Sequence, residues 1–325
     1  MRIARTLQEA EGFGPSALTI GKFDGVHAGH SQLLREVVGI ARERGLQPAA
    51  MTFHPHPACI VAPNRVPKPL LPLEERCERM RDLGIEQLFI LQFTQEVARI
   101  SPKEFVASFV SGIMRARVVV VGCNFRFGHK QAGDPQLLGS LGETHGFETR
   151  VVAPVQWRGM IVSTSAIRAR LEAGEVARAA RLLGRPYSVS GEVVQGFGIG
   201  SKQTVPTLNL GPAIEVLPRN GVYITRASDP ETARRWNSIT NIGFRPTFDG
   251  TSLTIETYLL DPLEGPTPSR IRVEFLRRVR DERKFENAEL LKGQILADVG
   301  RAQAFFRRFA KWRKTRQTAG AMRLE

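Results

Sequence analysis

The stretch "ALTIGKFDGVHAGHSQLLREVVGIARERG", residues 17–45, joins a short apolar segment, a glycine-rich turn and a segment that is apolar on one side. The first segment is partly β-branched, which is typical of a strand. The last segment has apolar residues at the i, i+3, i+4, i+7 spacing, which predicts an amphipathic helix. A strand–turn–helix unit directs backbone N–H groups and the positive end of the helix dipole at one point, where a phosphate is the usual guest. His27 and His30 would add side-chain donors to that site.

Residues 1–185 alternate strand-like and helix-like segments, which predicts a doubly wound α/β domain. The candidate strands are "ALTIG" (17–21), "PAAMTF" (48–53), "QLFILQF" (87–93), "ARVVVVG" (116–122) and "ETRVVAPV" (148–155). Continuous apolar runs such as the fourth are typical of a parallel sheet that is covered on both faces. Ligands bind beyond the carboxyl ends of such strands, where "GKFDGVHAGH" (21–30) and "GCNFRFGHKQAGD" (122–134) both fall.

The chain after residue 186 has a different pattern. From 187 to about 276 it consists of short β-like runs separated by Gly, Pro, Asn and Asp, which predicts a small barrel or sandwich. A helical segment at 286–312 follows. Because a proline ends the helical pattern "GEVARAARLLG", the boundary is placed near Arg185–Pro186, which gives domains 1–185 and 186–325.

The net charge of +14 leaves three classes of partner open: nucleic acid, a membrane surface and small polyanionic substrates. The densest basic run, "RRFAKWRKTR" (307–316), is interpreted as the solvated face of the last helix. A nucleic-acid-binding protein stays as an alternative, although no nucleic-acid motif accompanies the charge. No run of about 18 apolar residues is present, so neither a transmembrane helix nor a membrane partner is expected. Three scattered cysteines without a C-x-x-C pair fit a reducing cytoplasm.

A second candidate phosphate element is "VSTSAIRARL" (162–171). Ser163, Thr164 and Ser165 precede a predicted helix, and Arg168 lies one turn into it. Hydroxyl groups and a charge-assisted arginine contact suit a phosphate. The alternative is an ordinary helix N-cap followed by a surface arginine. The corresponding alternative for the two turn histidines is that they bond to local carbonyl groups.

Taken in order, the motifs resemble those of the prokaryotic bifunctional riboflavin kinase/FAD synthetase family. They are "GKFDGVHAGH", "TFHPHP", "VVVVGCNFRFG", "STSAIR", "LLGRPYSVSGEVVQG", "VPTLNL", "NGVYIT", "NIGFRPTF", "IETYLLD" and "RDERKF". The resemblance covers about residues 15 to 300. It implies an N-terminal nucleotidyltransferase-like (Rossmann-like) domain that adenylylates FMN to FAD. It also implies a small six-stranded riboflavin kinase β-barrel, with a C-terminal helix, that phosphorylates riboflavin to FMN. Both reactions would use ATP with Mg²⁺, and the expected partners are these small molecules rather than nucleic acid.

The resemblance implies functional residues in the first domain. The ATP-binding turn would consist of Gly21, Phe23, Asp24, His27, Gly29 and His30, of which the histidines would also act in catalysis. The second phosphate element would consist of Ser163, Thr164, Ser165 and Arg168. The residues beside the nucleotide and the flavin would be Asn124, Arg126 and Phe127.

In the second domain the implied site surrounds "PTLN" and "IETY". Thr207 and Asn209 match the residues that hold Mg²⁺ and phosphate, and Glu256 matches the general base. The other implied ATP-binding residues are Gly198, Gly200 and Lys202, and the implied flavin-binding residues are Arg280, Glu282 and Phe285. A carboxylate beside a primary alcohol can accept its proton during attack. The alternative for Glu256 is a strand carboxylate that pairs with an arginine.

The chain departs from the family pattern in the kinase loops. Ser201 stands where an arginine is common, Thr204 where a glycine is common, and Leu208 replaces an alanine. Lys202 is the candidate replacement for the missing cation. Glu264–Gly265 stands where an aromatic–glycine pair is usual. These departures support an alternative hypothesis in which only the adenylyltransferase half is efficient.

One further position differs in the first domain. His54, in "TFHPHP", occupies a position that is often acidic in the family. A metal site of His54, His56 and Cys59 is not expected, because no fourth ligand lies at a sensible spacing.

Overall fold

The structure is a computed structural model that describes residues 1–194, 207–247 and 250–321. The chain divides into two compact units. Unit 1 comprises Met1–Ile167 and Leu182–Gly184, and unit 2 comprises Arg168–Arg181 and Arg185–Glu325.

Unit 1 is built on a six-stranded parallel sheet of order β1-β4-β3-β2-β5-β6. Its strands are β1 (Arg2–Ala4), β2 (Ser16–Ile20), β3 (Gln47–His54), β4 (Gln87–Gln92), β5 (Ala116–Gly122) and β6 (Glu148–Val152). Its α-helices are α1 (Ala28–Arg44), α2 (Ala58–Val61), α3 (Leu73–Asp82), α4 (Gln95–Arg99), α5 (Pro102–Phe105) and α6 (Pro135–His145), with a π-helical turn at Val106–Ile113 and 3₁₀ turns at Pro63–Arg65 and His129–Gln131. A small hairpin pairs β7 (Gln156–Trp157) with β8 (Met160–Ile161).

The strand order reverses beside β2. The strands β3 and β4 lie on one side of β2, and β5 and β6 lie on the other. Such a reversal opens a crevice at the carboxyl ends of β2 and β5. All five residues of β2 are buried, because apolar clusters cover both faces of the sheet. The predicted doubly wound domain is therefore confirmed, and both predicted ligand segments follow the two strands that border the crevice.

Three local features of unit 1 differ from the sequence prediction. Helix α1 begins at Ala28, inside the motif that was expected to be a turn, so His30 lies in its first turn. The edge strand β1 and the β7–β8 hairpin were not predicted. Segments of two or three residues are too short to show a periodicity, and pairing partners distant in the chain determine whether they form strands.

Unit 2 contains a closed antiparallel barrel of order β10-β13-β12-β11-β14-β9. Its strands are β9 (Tyr187–Val194), β10 (Thr207–Leu210), β11 (Gly221–Ser228), β12 (Arg235–Thr247), β13 (Gly250–Leu259) and β14 (Arg270–Arg280). The helices before the barrel are α7 (Thr164–Glu172) and α8 (Val176–Leu183), and α9 (Ala288–Ala321) follows it. The predicted six-stranded barrel with a C-terminal helix is confirmed.

The two faces of the barrel strands carry different chemistry. Thr225 bonds to Ser238 and Thr240, and Thr240 bonds to Thr257, so buried hydroxyl groups satisfy one another on one face. Alternate residues of the same strands point to the opposite face. There Ile224 forms an apolar cluster with α9 through Ala302, which fixes the helix against the barrel.

Candidate active sites

The turn after β2 has an unusual backbone. Phe23 and Val26 have φ values of 49° and 38°, and Gly25 between them has a φ of 78°. A positive φ is costly for residues with a β-carbon, and such conformations concentrate at ligand sites. The Asp24 carboxylate accepts the backbone N–H of Leu70 at 2.8 Å, which stabilises the turn from within. A side chain at position 25 would meet Leu70 at 3.1 Å, so glycine suits both the backbone and the space.

His27 caps helix α1. Its Nδ1 accepts the backbone N–H of His30 at 3.3 Å, and the two imidazole rings stack with centroids 3.7 Å apart. An imidazole nitrogen that accepts a hydrogen bond carries no proton, so the ring proton of neutral His27 lies on Nε2. His27 is thus oriented as an Nε2–H donor at the N-terminus of a 17-residue helix.

His30 is held in the neutral form. Desolvation lowers its pKa well below 6.5, and His27, Arg76 and Lys22 lower it further. Its Nδ1 is buried and has no hydrogen-bond partner among the described residues. A buried polar atom without a partner is uncommon in folded proteins and is a candidate ligand contact. Phe23 packs edge-on against the ring, with centroids 5.2 Å apart.

Arg76, on α3, is a residue of this site that sequence reasoning missed. It is buried, and its Nη1 donates to the Lys22 carbonyl at 2.6 Å and lies 3.4 Å from the Thr52 hydroxyl. Burial lowers the pKa of its guanidinium, while nearby Asp24 opposes that effect. Arg76 therefore connects the strained turn to the neighbouring strand β3 and places a positive charge next to the turn. The charged pattern of α3 gives no sign that one of its arginines is buried.

The segment after β5 divides between surface and core. Asn124 and Arg126 are exposed beyond the carboxyl end of the strand. Phe127 instead lies in the apolar core, where it packs against Phe105 and Phe125 with ring centroids 5.7 and 5.5 Å apart. The structure thus gives Phe127 a packing role in the core, and it leaves Asn124 and Arg126 exposed.

The second predicted phosphate element lies next to the histidine turn. A β-carbon on Gly29 would come within 3.8 Å of the Val162 carbonyl, directly before Ser163. The Ser163 hydroxyl accepts the backbone N–H of Ala166 at 3.2 Å, as the N-cap alternative expected. Thr164 and Ser165 open α7, and Arg168 lies in the same helix. The N-termini of helices α1 and α7 therefore lie close together in space.

In unit 2 the strand pairing brings the predicted kinase residues together. Asn209 on β10 is the direct cross-strand partner of Glu256 on β13, and Asn241 on β12 is the partner of Glu256 on its other side. Directly opposite residues have β-carbons about 4.5–5.5 Å apart. Thr207 shares the face of Asn209, since alternate strand residues point the same way. Asn241 is a second residue that sequence reasoning missed. It opens the motif "NIGFRPTF", but the sequence does not show that it pairs with Glu256 across the strands.

Burial distinguishes these side chains. Glu256 is only 5% exposed. The Thr207 hydroxyl is buried and has no hydrogen-bond partner among the described residues. Leu208, which stands where the family has alanine, is 4% exposed and packs inside the barrel. Three predicted ATP-binding residues and two loop departures lie outside the described residues: Gly198, Gly200, Lys202, Ser201 and Thr204.

Of the predicted flavin-side residues, Arg280 ends β14, and Glu282 and Phe285 follow it. The Glu282 carboxylate accepts the backbone N–H of Phe244 at 3.1 Å. Arg280 forms an ion pair with buried Asp298 of α9 at 2.7 Å, and its guanidinium lies 5.7 Å from the centre of the Phe285 ring. These contacts connect the segment after β14 to β12 and to α9. Asp298, in the middle of a helical pattern, was not predicted.

Metal binding and membrane insertion were also considered. Among the described residues, no group of three or more His, Cys, Asp and Glu side chains is placed to hold a metal ion. In the same part of the chain, every helix is too short or too polar to span a lipid bilayer.

Comparison with known proteins matches both units. The profile of the FAD synthetase family matches residues 10–166, and the profile of the riboflavin kinase family matches residues 183–306. The bifunctional riboflavin kinase/FMN adenylyltransferase of Bacillus subtilis is 33% identical over 306 residues, covering 91% of this chain and 94% of the relative. The protein of the same name from Escherichia coli K12 is 32% identical, covering 89% of this chain and 92% of the relative.

A solved structure matches over nearly the whole chain as well. It is a crystal structure described as a macrolide-efflux protein from Streptococcus pneumoniae, with a TM-score of 0.83 and 27% sequence identity. The match covers 93% of this chain and 99% of that protein.

Proposed function

The chain belongs to the bifunctional riboflavin kinase/FMN adenylyltransferase family, and from that membership we propose which of its residues carry each reaction. The chain phosphorylates riboflavin to FMN with ATP and then adenylylates FMN with ATP to FAD. Both family profiles match, so the alternative in which only the adenylyltransferase half is efficient is not favoured. The same finding favours an enzyme over the nucleic-acid-binding alternative.

FMN adenylylation is assigned to the histidine turn of unit 1. In this reaction a phosphate oxygen of FMN attacks the α-phosphorus of ATP, and the bond to the β-phosphate oxygen breaks to release pyrophosphate. Negative charge develops on the leaving pyrophosphate, and fixed N–H donors stabilise it most at that moment. The Nε2–H of His27, the ring of neutral His30 and the N-terminus of α1 supply such donors. Ser163, Thr164, Ser165 and Arg168 form the second clamp.

The other residues proposed for the adenylylation site belong to the turn after β2 and to the segment after β5. Gly21, Phe23 and Asp24 shape the turn, and Gly29 permits close approach of a phosphate to the backbone. Asn124 and Arg126 border the crevice from β5 as the nucleotide-side and flavin-side contacts, with Phe127 packed beneath them. The observation that supports this assignment most strongly is the convergence of the α1 and α7 N-termini at Gly29 and Val162.

Riboflavin phosphorylation is assigned to the Glu256 face of the barrel. The 5′-hydroxyl oxygen of riboflavin attacks the γ-phosphorus of ATP, and Glu256 accepts the hydroxyl proton as the P–O bond forms. Asn209 is the cross-strand neighbour of Glu256, so both act on the same reacting group. Arg280, Glu282 and Phe285 position the flavin, and Gly198, Gly200 and Lys202 complete the contacts to ATP. Transfer of this kind depends on positioning and charge neutralisation more than on covalent catalysis.

The residues present fit a magnesium ion. The Thr207 hydroxyl is buried and unpartnered among the described residues, and the Asn209 amide oxygen shares its face. Both are hard oxygen ligands of the kind that Mg²⁺ takes, alongside the phosphates of its nucleotide. When bound, the ion would neutralise charge on the ATP phosphates.

The domain limits and the location in the cell complete the proposal. We assign the adenylyltransferase to 1–185 and the kinase, with its C-terminal helix and basic tail, to 186–325, with residues 168–181 contributing to the core of the kinase unit. The three cysteines, Cys59, Cys77 and Cys123, are free, which supports a reducing compartment such as the cytoplasm. Riboflavin, FMN and ATP are the proposed partners, without a role for nucleic acid or a membrane.

Separate assays test the proposed function. Purified chain is incubated with ATP and either riboflavin or FMN, with and without a chelator of Mg²⁺, and the flavins are resolved by chromatography. We expect FMN from the first substrate, FAD from the second, and loss of both products with the chelator. Product formation that persists after complete chelation contradicts the Mg²⁺ assignment, and absence of either product with Mg²⁺ contradicts the corresponding site.

A further inference from the structure

A cleft of about 450 Å³ lies in unit 2 between β14 and the middle of α9. It contains none of the residues assigned to riboflavin phosphorylation. Its lining includes four arginines, Arg277, Arg278, Arg301 and Arg308, and no acidic side chain. Phe305 contributes an aromatic wall. A positively charged cleft with an aromatic wall has the chemistry of a site for a phosphorylated organic ligand.

The backbone of β14 is irregular where it borders this cleft. Consecutive residues of a regular strand point to opposite faces, yet Arg277 and Arg278 both line the cleft. The register between β11 and β14 shifts between Val222 and Tyr223 and again between Ile224 and Thr225. Such bulges redirect side chains. The two bulges flank Arg277 and Arg278, and both residues line the cleft.

Helix α9 presents the complementary face. Arg301, Phe305 and Arg308 are separated by four and then three residues, so they lie on one side of the helix. The match to the riboflavin kinase family ends at residue 306. Arg308 therefore lies beyond the part of the chain that the family match explains.

The charges of the cleft are only partly compensated. Arg278 has a carboxylate partner at 2.7 Å, and Arg301 has one at 3.6 Å. Arg277 and Arg308 are exposed, and within the described residues neither of them makes an ion pair. Guanidinium groups in one cleft repel each other, and an anion between them removes that repulsion. The planar guanidinium fork also matches the oxygens of a phosphate in a bidentate geometry.

We propose that this cleft binds a phosphate-bearing small molecule with a planar ring, with the phosphate between Arg277 and Arg308 and the ring against Phe305. The volume lies in the range of small-molecule sites. The aromatic side chain provides a stacking surface for the ring. Binding in this cleft does not depend on the residues assigned to either reaction.

Hydrogen–deuterium exchange of the full chain, measured by mass spectrometry, locates the binding. AMP is the probe, and adenosine, which lacks the phosphate, is the matched ligand control. We expect AMP to protect peptides covering residues 274–280 and 300–309, and adenosine to leave them unprotected. Each single variant, Arg277→Ala or Arg308→Ala, should raise the AMP concentration for half-protection about tenfold, the loss of one charge-assisted contact.

A control variant and a competing ligand make the test decisive. Arg270→Ala removes an exposed arginine of the same strand outside the cleft and should leave the protection unchanged. Absence of protection by AMP, or protection that survives the double variant Arg277→Ala/Arg308→Ala, overturns the proposal. Protection of these peptides by a single-stranded oligonucleotide and not by AMP also overturns it, in favour of a nucleic-acid surface.

Discussion

The pKa of the His30 imidazole links the proposed adenylylation site to the acid stability of the chain. Desolvation first, and then His27, Arg76 and Lys22, place its folded-state pKa well below the unfolded value of 6.5. Below pH 6.5 the unfolded chain therefore binds more protons than the folded chain, and the free energy of unfolding falls as the pH falls.

His30→Gln tests this dependence. The variant cannot take up the proton, so its unfolding free energy should fall less between pH 7.5 and pH 5.5 than that of the parent. The difference in slope is at most about 1.4 kcal/mol per pH unit. Urea denaturation at several pH values measures it. Equal slopes for the two proteins would show that His30 titrates normally in the folded state.

The Glu256 carboxylate provides the second prediction at this scale. The riboflavin 5′-hydroxyl is a weak nucleophile at neutral pH, so general-base assistance is worth roughly 10²–10⁴-fold. Glu256→Gln keeps the shape and removes the charge, and it should lower the turnover of riboflavin phosphorylation by that factor. Riboflavin binding should change little, because the amide fills the same space.

Thr207→Ala is the contrasting variant for the kinase site. Loss of a proposed Mg²⁺ ligand should raise the Mg²⁺ and ATP concentrations needed for half-maximal rate, and Thr207→Ser should restore them. Parent-rate phosphorylation by Glu256→Gln would instead mean that Glu256 is a paired strand carboxylate.

Residue types predicted the site only in part. His27, His30, Asn209 and Glu256 carry polar groups at positions that the motifs single out, and the structure places the members of each pair next to each other. Phe127 shows the limit, because an aromatic residue in a loop motif has the same sequence signature whether it stacks on a ligand or packs in the core. The roles of Arg76 and Asn241 depend on burial and cross-strand register, which composition does not encode.

At the scale of elements, one buried carboxylate of α9 holds the segment that we propose to bind the flavin. Asp298 is 2% exposed and forms an ion pair with Arg280 at 2.7 Å. Its carboxylate also accepts a hydrogen bond from the side-chain amide of Gln294 at 2.8 Å. Removing one partner of a buried ion pair leaves the other charge uncompensated. Asp298 is therefore a positioning residue for Arg280 and, through it, for Phe285.

Asp298→Asn should raise the KM for riboflavin about tenfold, the effect of about 1.4 kcal/mol. Its kcat should change less, because Glu256 lies on another strand. Steady-state kinetics over a range of riboflavin concentrations separates the two. Asp281→Asn is the matched control: that carboxylate is 64% exposed, and exposed ion pairs contribute little. A reduced kcat with unchanged KM would refute the positioning role.

The elements themselves were largely predictable. Strands such as β5, with its continuous valines, and β11 lie where the apolar runs place them, because buried strands need such runs. The start of α1 was predicted too late, because Gly29 disfavours a helix interior and His27 is an unusual N-cap. Closure of the barrel by β9 and β14 depends on pairing between distant segments, which local pattern cannot show.

At the scale of the whole molecule, residues 168–181 belong to the unit of the barrel rather than to the unit that precedes them. The Arg219 backbone N–H donates to the Leu171 carbonyl at 2.9 Å, and Gly174 lies directly against the Arg278 side chain. Leu171 and Ala179 are fully buried. These contacts indicate that a fragment which begins at residue 185 lacks part of its own core.

Two fragments test this boundary. Residues 168–325 should fold, phosphorylate riboflavin and unfold at a higher denaturant concentration than residues 185–325. Burial of the Leu171 side chain alone contributes about 1.5–3 kcal/mol. Circular dichroism during urea denaturation, together with the kinase assay, provides the comparison. Equal stability of the two fragments would place the boundary at Pro186.

The central claim is that one chain carries two reactions at two separate sites, and mixing two inactivated variants tests it most directly. His30→Ala should lower FMN adenylylation about 10²-fold and leave riboflavin phosphorylation intact, so it accumulates FMN. Glu256→Gln should make FAD from added FMN but little FMN from riboflavin. The account predicts that an equimolar mixture converts riboflavin to FAD with ATP and Mg²⁺ much faster than either variant does alone. A mixture that forms no more FAD than the separate variants, or loss of both activities in either one, would contradict it.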